Sequence, residues 1–124
     1  MKIIFKTLEM FVLLTLIASC TKEYVTPTAE LPTNVSFATD IQPIFTNNCV
    51  ACHGGSTSPN LTASKAYASL TSNNLVVSGN ASGSKLYSRM TGANGNSVMP
   101  PSGKLSTSDL NKVLVWINEG AKNN

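Results

Sequence analysis

Apolar residues in this chain gather in three stretches, and each has its own pattern. The first, Met10 to Ser19 ("MFVLLTLIAS"), is nearly unbroken and shows no period. The second, Thr39 to His53 ("TDIQPIFTNNCVACH"), places Ile41, Ile44 and Phe45 at i, i+3 and i+4, one face of a helix. Thr39 followed by Gln42 reads as a capping box at its start, and Pro43 falls in the first turn, where a missing N–H costs little. The third, Ser106 to Ala121 ("STSDLNKVLVWINEGA"), repeats Leu110, Val113, Leu114 and Ile117 at helical spacing. Ser106 and Asp109 stand in capping relation at its start, and Gly120 is placed to end it.

Between the second and third stretches the chain is rich in Ser, Gly and Asn. Residues 71–84 and 91–98 read as loops. Two shorter helices are expected beside them, "ASKAYASL" after Thr62 and "SKLYSRM" after Gly83. No run alternates convincingly as a strand, and Val76 and Val77 are too isolated to count. The pattern predicts an all-α domain.

Length bounds the architecture: 124 residues allow one domain at most. Lys2 and Lys6 before the first apolar stretch make residues 1–19 a secretory signal, too short for a permanent span of about 20 apolar residues. Its end, "IASC", resembles the lipobox of bacterial lipoproteins. That resemblance implies a lipid-bearing Cys20 as the first mature residue, and a protein exported to the periplasmic side of a membrane or the cell surface. Residues 20–34, Thr- and Pro-rich, then read as the lipidated cysteine and a flexible tether, and 35–124 as the folded domain. Without residues 1–19 the chain keeps seven basic and five acidic residues. The basic residues are scattered, which argues against a nucleic-acid partner. There are no paired carboxylates, no Ser/His/Asp set and no phosphate-cradling glycine loop. Asp40, Asp109 and Glu119 read as helix-terminal residues. Neither an enzyme nor a small-molecule substrate is expected.

The chemistry is concentrated in "CVACH". Lipid on Cys20 would leave Cys49 and Cys52 as a pair, three residues apart, followed by the chain's single histidine, His53. C-x-x-C-H is the attachment pattern for c-type haem. On a helix these three positions share a face, so two sulfurs can bond the vinyl groups of one porphyrin while the imidazole serves as proximal ligand to iron. A structural zinc site wants four Cys or His ligands; with Cys20 lipidated the chain offers three, and the fourth would have to be a carboxylate or a methionine. A thioredoxin-like pair expects βαβ surroundings, and a plain disulfide would leave His53 unexplained. One covalent haem c is the expected cofactor.

With that motif, the stretches "SFATDIQPIFTNNCVACHGG" and "MPPSGKLSTSDLNKVLVWINEGA" resemble the class I mono-haem cytochromes c over Phe37 to Ala121. The resemblance implies three to five helices wrapped around a covalently attached haem, with N- and C-terminal helices packed together. It implies contact of Phe45 with the last helix at Val113 and Trp116, and a backbone carbonyl at Pro59 for the free nitrogen of His53. It also implies a sixth ligand from a loop methionine preceding a proline, which is Met99 before Pro100; Met90, four residues after Leu86, reads as core packing. The implied function is an electron carrier serving redox partner proteins, with a haem-based sensor as the alternative should the sixth site be open. Lys85 and Arg89, at i and i+4, could steer such a partner or simply be solvated. Trp116 reads first as core. A domain of about 90 residues needs a staple beyond its core. The haem is therefore expected at the centre of Ile41, Ile44, Phe45, Leu86, Leu110, Val113, Leu114, Trp116 and Ile117, with the haem-free chain largely unfolded.

Overall fold

The computed structural model of the protein describes residues 30–124. Residues 1–29, with the expected signal, Cys20 and most of the expected tether, lie outside the described residues. Five α-helices and no strand occur among the described residues: α1 (Gln42–Asn48), α2 (Val50–His53), α3 (Ala66–Ser72), α4 (Lys85–Thr91) and α5 (Thr107–Asn118). A π-helical turn (Phe37–Ile41) leads into α1, and a 3₁₀ turn (Ala93–Gly95) follows α4. The all-α class is therefore observed, and no described helix is long and apolar enough to cross a membrane.

The start of the first helical stretch differs from expectation. Ser36, not Thr39, is the cap: its Oγ accepts from the Thr39 N–H at 3.4 Å, and its own N–H donates to Asp40 Oδ2 at 3.0 Å. This reciprocal pair begins three residues earlier than the expected box. The backbone then opens to i→i+5 bonding, with the Ile41 N–H on the Ser36 carbonyl and the Gln42 N–H on that of Phe37. Pro43 gives the physical reason. It has no N–H for the Thr39 carbonyl and its ring would crowd that carbonyl, so the turn before it widens. At the other end of α1 the helix bends at Cys49 (φ −124°, ψ −36°) before resuming as α2.

α5 begins as the sequence predicts. Ser106 Oγ accepts from the Asp109 N–H at 3.1 Å and donates to its carboxylate at 2.8 Å. The helix closes at Gly120, whose φ of +107° suits the chain's exit.

Terminal segments cross and lock. Phe37 sits among three aromatic rings, with centroids 5.3 Å from Trp116, 5.3 Å from Tyr67 and 6.2 Å from Phe45. Phe37 in the π-turn, a residue the sequence did not single out, thus joins the N-terminal region to α5, and Phe45 is buried in the same core as Val113 and Trp116. Hydrogen bonds complete the lock. The N–H groups of Asn34 and Val35 donate to the Glu119 carboxylate, each at 3.0 Å, and the Ala38 and Phe37 N–H groups donate to Asn124. Trp116 Nε1 donates to the Lys122 carbonyl at 2.9 Å, and the Tyr67 hydroxyl to that of Ala121 at 3.0 Å. Glu119 is thus more than a helix-terminal charge, because it holds the strap that enters the domain.

The polar loop between α3 and α4 is fastened to α5 as well. The Gly79 N–H donates to the Ile117 carbonyl at 2.8 Å, and the Ala81 N–H to Asn118 Oδ1 at 3.1 Å. Within the loop, Ser84, 1% exposed, accepts from the Val77 N–H and donates to the Asn80 carbonyl. Small polar residues here are structural cement rather than slack.

Candidate haem site

α2 is one turn long, and its sequence dictates how the chain leaves it. A Cβ on Gly54 would stand 2.8 Å from the Val50 carbonyl oxygen, and Gly55 has φ +137°. Only glycine meets both demands, and the chain turns off α2 directly after His53. Residues 56–61 then return alongside it. The Leu61 N–H donates to the His53 carbonyl at 2.8 Å, and His53 Nδ1 lies 3.1 Å from the Pro59 carbonyl oxygen. A carbonyl only accepts, so Nδ1 carries the proton and Nε2 keeps its lone pair for a metal. The carbonyl expected from the family resemblance is in place.

His53 faces a cavity of about 440 Å³, well within the 300–1,000 Å³ usual for cofactor sites. Its wall brings together Cys49, His53, Pro59, Leu61, Leu75, Leu86, Met90 and Met99, with Lys85, Arg89, Ser58 and Asn73. Cys49 is half-buried and desolvation pushes its thiol up to about 11. Cys52 is exposed and is not part of the wall, and the two thiols are not joined. Among the described residues no three His, Cys, Asp or Glu side chains gather as a metal-binding cluster.

Both methionines reach the cavity by different routes. Met90 is 3% exposed, on α4, part of the core as expected and yet also in the wall. Met99 is half-buried in the loop after the 3₁₀ turn, with its N–H donating to the Arg89 carbonyl at 2.8 Å. That bond pins an irregular segment against the last turn of α4.

One expectation is corrected. Of the residues expected to surround the haem, Leu86 alone lines the cavity. Ile41, Ile44, Phe45, Val113, Trp116 and Ile117 do not reach the cavity; they are buried in one core that also takes in Leu61, Leu86 and Met90 of its wall, with Leu110 and Leu114 packed against it. The helical stripes were legible, but they face one another. The apolar part of the cavity wall is completed by two residues with no periodic pattern around them, Leu61 and Leu75. Their only local signal is an isolated leucine two residues after Pro59 and another beside Val76.

The electrostatics of the cavity have one sign. No Asp or Glu lines it, whereas Lys85 and Arg89 do. The carboxylates of Asp40, Asp109 and Glu119 are occupied at helix starts and at the entering strap. An apolar wall, an imidazole whose Nδ1 is held by a carbonyl, a thiol and a cationic rim fit a porphyrin, which is a flat apolar ring carrying two carboxylates. These residues fit haem.

A family model described as "Cytochrome C oxidase, cbb3-type, subunit III" matches residues 37–117. No curated protein and no solved structure matches the chain. The match takes in the π-turn, the paired cysteines, every wall residue of the cavity and nearly all of α5. The chain belongs to this family, and its domain is a c-type cytochrome: a haem protein that carries electrons and is not itself an enzyme.

Proposed function

We propose that the protein is a lipid-anchored cytochrome with one covalent haem c, attached through Cys49 and Cys52 and ligated by His53 and Met99. Cys20 carries the lipid and places the domain on the periplasmic side of a membrane or at the cell surface. The observation that carries the reading is the His53 ring, held at Nδ1 by the Pro59 carbonyl, in the wall of an apolar cavity shared with Cys49 and Met99. A haem iron with His and Met ligands exchanges single electrons and leaves no open position for oxygen.

The protein's own part is placement and exclusion. The Pro59 carbonyl orients His53 and would strengthen Nε2 as a donor to iron. Leu61, Leu75, Leu86 and Met90 keep water from the ring's faces. Met99 is favoured over Met90 because it sits half-buried in a loop that borders the cavity, whereas Met90 is committed to the core. Lys85 and Arg89 at the rim set the charge that a partner meets. The family description names an oxidase, which suits an oxidase as electron acceptor, with the domain acting alone or as a subunit; its partners on this reading are redox proteins.

A pyridine haemochrome assay on the exported protein tests the cofactor and counts it. A Met–iron charge-transfer band in the oxidised protein, lost in Met99→Ala and kept in Met90→Ala, tests the sixth ligand. A wild-type protein lacking that band would favour a haem-based sensor with an open site.

A further inference from the structure

The loop that serves His53 is held in place by a residue on another helix. Gln42, at the start of α1, is 8% exposed, and its Nε2 donates to the Leu61 carbonyl at 3.1 Å and to Thr46 Oγ1 at 3.3 Å. Its Oε1 is buried and has no partner. Exchanging the two amide atoms would set Oε1 against the Leu61 carbonyl, acceptor against acceptor, so the orientation is settled by that carbonyl. An apolar side chain would fill the same space without burying an unpaired oxygen, and a buried polar atom left unpaired calls for another explanation. The Leu61 contact supplies it. Leu61 is fixed at both backbone groups, its N–H on His53 and its carbonyl on Gln42, and Pro59 lies two residues before it. The Asn60 N–H between them donates to Ser69 Oγ of α3 at 2.9 Å.

We propose that Gln42 is a positioning residue for the His53 imidazole: by holding the Leu61 carbonyl it fixes the loop that presents the Pro59 carbonyl to Nδ1, and so tunes the donor strength of Nε2. This rests on His53 being the proximal haem ligand. A firmly held Nδ1–H bond makes the imidazole more basic, which favours ferric over ferrous iron. Releasing the loop weakens that bond and favours the reduced form.

The test uses the exported, haem-bearing protein. Gln42→Met keeps the length and volume of the side chain and removes the donor; Gln42→Asn keeps the amide but draws it back from Leu61, and serves if the first variant does not mature. Two quantities are read: the midpoint potential, and the rate at which the His53 Nδ1 proton exchanges with solvent by NMR. The expected result is faster exchange and an upward shift in potential, at most the roughly 59 mV that a tenfold change in a one-electron equilibrium represents. Ser106→Ala, which removes the α5 cap far from this loop, is expected to lower the melting temperature and move neither quantity. A haem-bearing Gln42 variant with wild-type potential and exchange, differing only in melting temperature, overturns this inference alone. A wild-type protein without haem overturns the reading of the site itself.

Discussion

Phe37 and Trp116 pack with ring centroids 5.3 Å apart at 43°, joining the first turn of the domain to its last helix across nearly the whole described chain. Both are almost wholly buried, at 4% and 1% exposed. Phe37→Ala is expected to cost about 3–5 kcal/mol, the usual range for emptying a buried aromatic site. Phe37 does not line the haem cavity. Denaturant melts of the haem-bearing variant should therefore show the loss while its visible spectrum stays that of the wild type.

The same logic separates the methionines. Met90→Ala removes a buried side chain and should lower stability by about 2–5 kcal/mol, leaving the Met–iron band intact. Met99→Ala should remove the band at a smaller cost to stability, since Met99 is only half-buried. A variant pair with the spectroscopic outcomes reversed would reassign the sixth ligand to Met90.

Haem removal should unfold most of the domain, because a domain of this size would lose the apolar group that fills the cavity lined by Leu61, Leu75, Leu86 and Met90. The core behind the cavity makes this a sharp test. Chain produced without haem and kept reduced should show little helical ellipticity, and Cys49 and Cys52 should alkylate at the same rate. Were the fold retained, Cys49 would lag, since burial pushes its thiol up to about 11 and leaves little thiolate near neutral pH, whereas Cys52 is exposed.

Lys85 and Arg89 at the rim should speed electron exchange with anions. Oxidation of the reduced protein by ferricyanide should slow as salt is added, and slow further in a Lys85→Glu, Arg89→Glu variant. A cationic cobalt oxidant should show the opposite salt trend. Equal behaviour toward both oxidants would mean that the pair's charge is already neutralised.

Cys20→Ala should abolish incorporation of labelled fatty acid and shift the protein from the detergent phase to the aqueous phase, with unchanged haem content. Retention in the membrane fraction would point to another anchor.

Residues close in sequence carried most of what could be read in advance. The Ser106–Asp109 cap, the stripe of α5 and the Cys49, Cys52 and His53 spacing are local relations, within one turn of chain, and each has a direct physical meaning on a helix. The Thr39 cap failed for an equally local reason. Pro43 widened the turn before it and moved the cap to Ser36, a competition between proline geometry and box pattern that composition does not weigh.

By itself the sequence determined the helical class and the attachment motif, because periodicity, caps and ligand spacing act over a few residues. Only the tertiary structure decided that Phe37 meets Trp116, that the helical stripes join one core with the cavity-lining Leu61, Leu86 and Met90, and that Gln42 reaches Leu61. Those outcomes depend on which distant surfaces the chain can bring together at close packing, a condition on the whole fold that no short window contains.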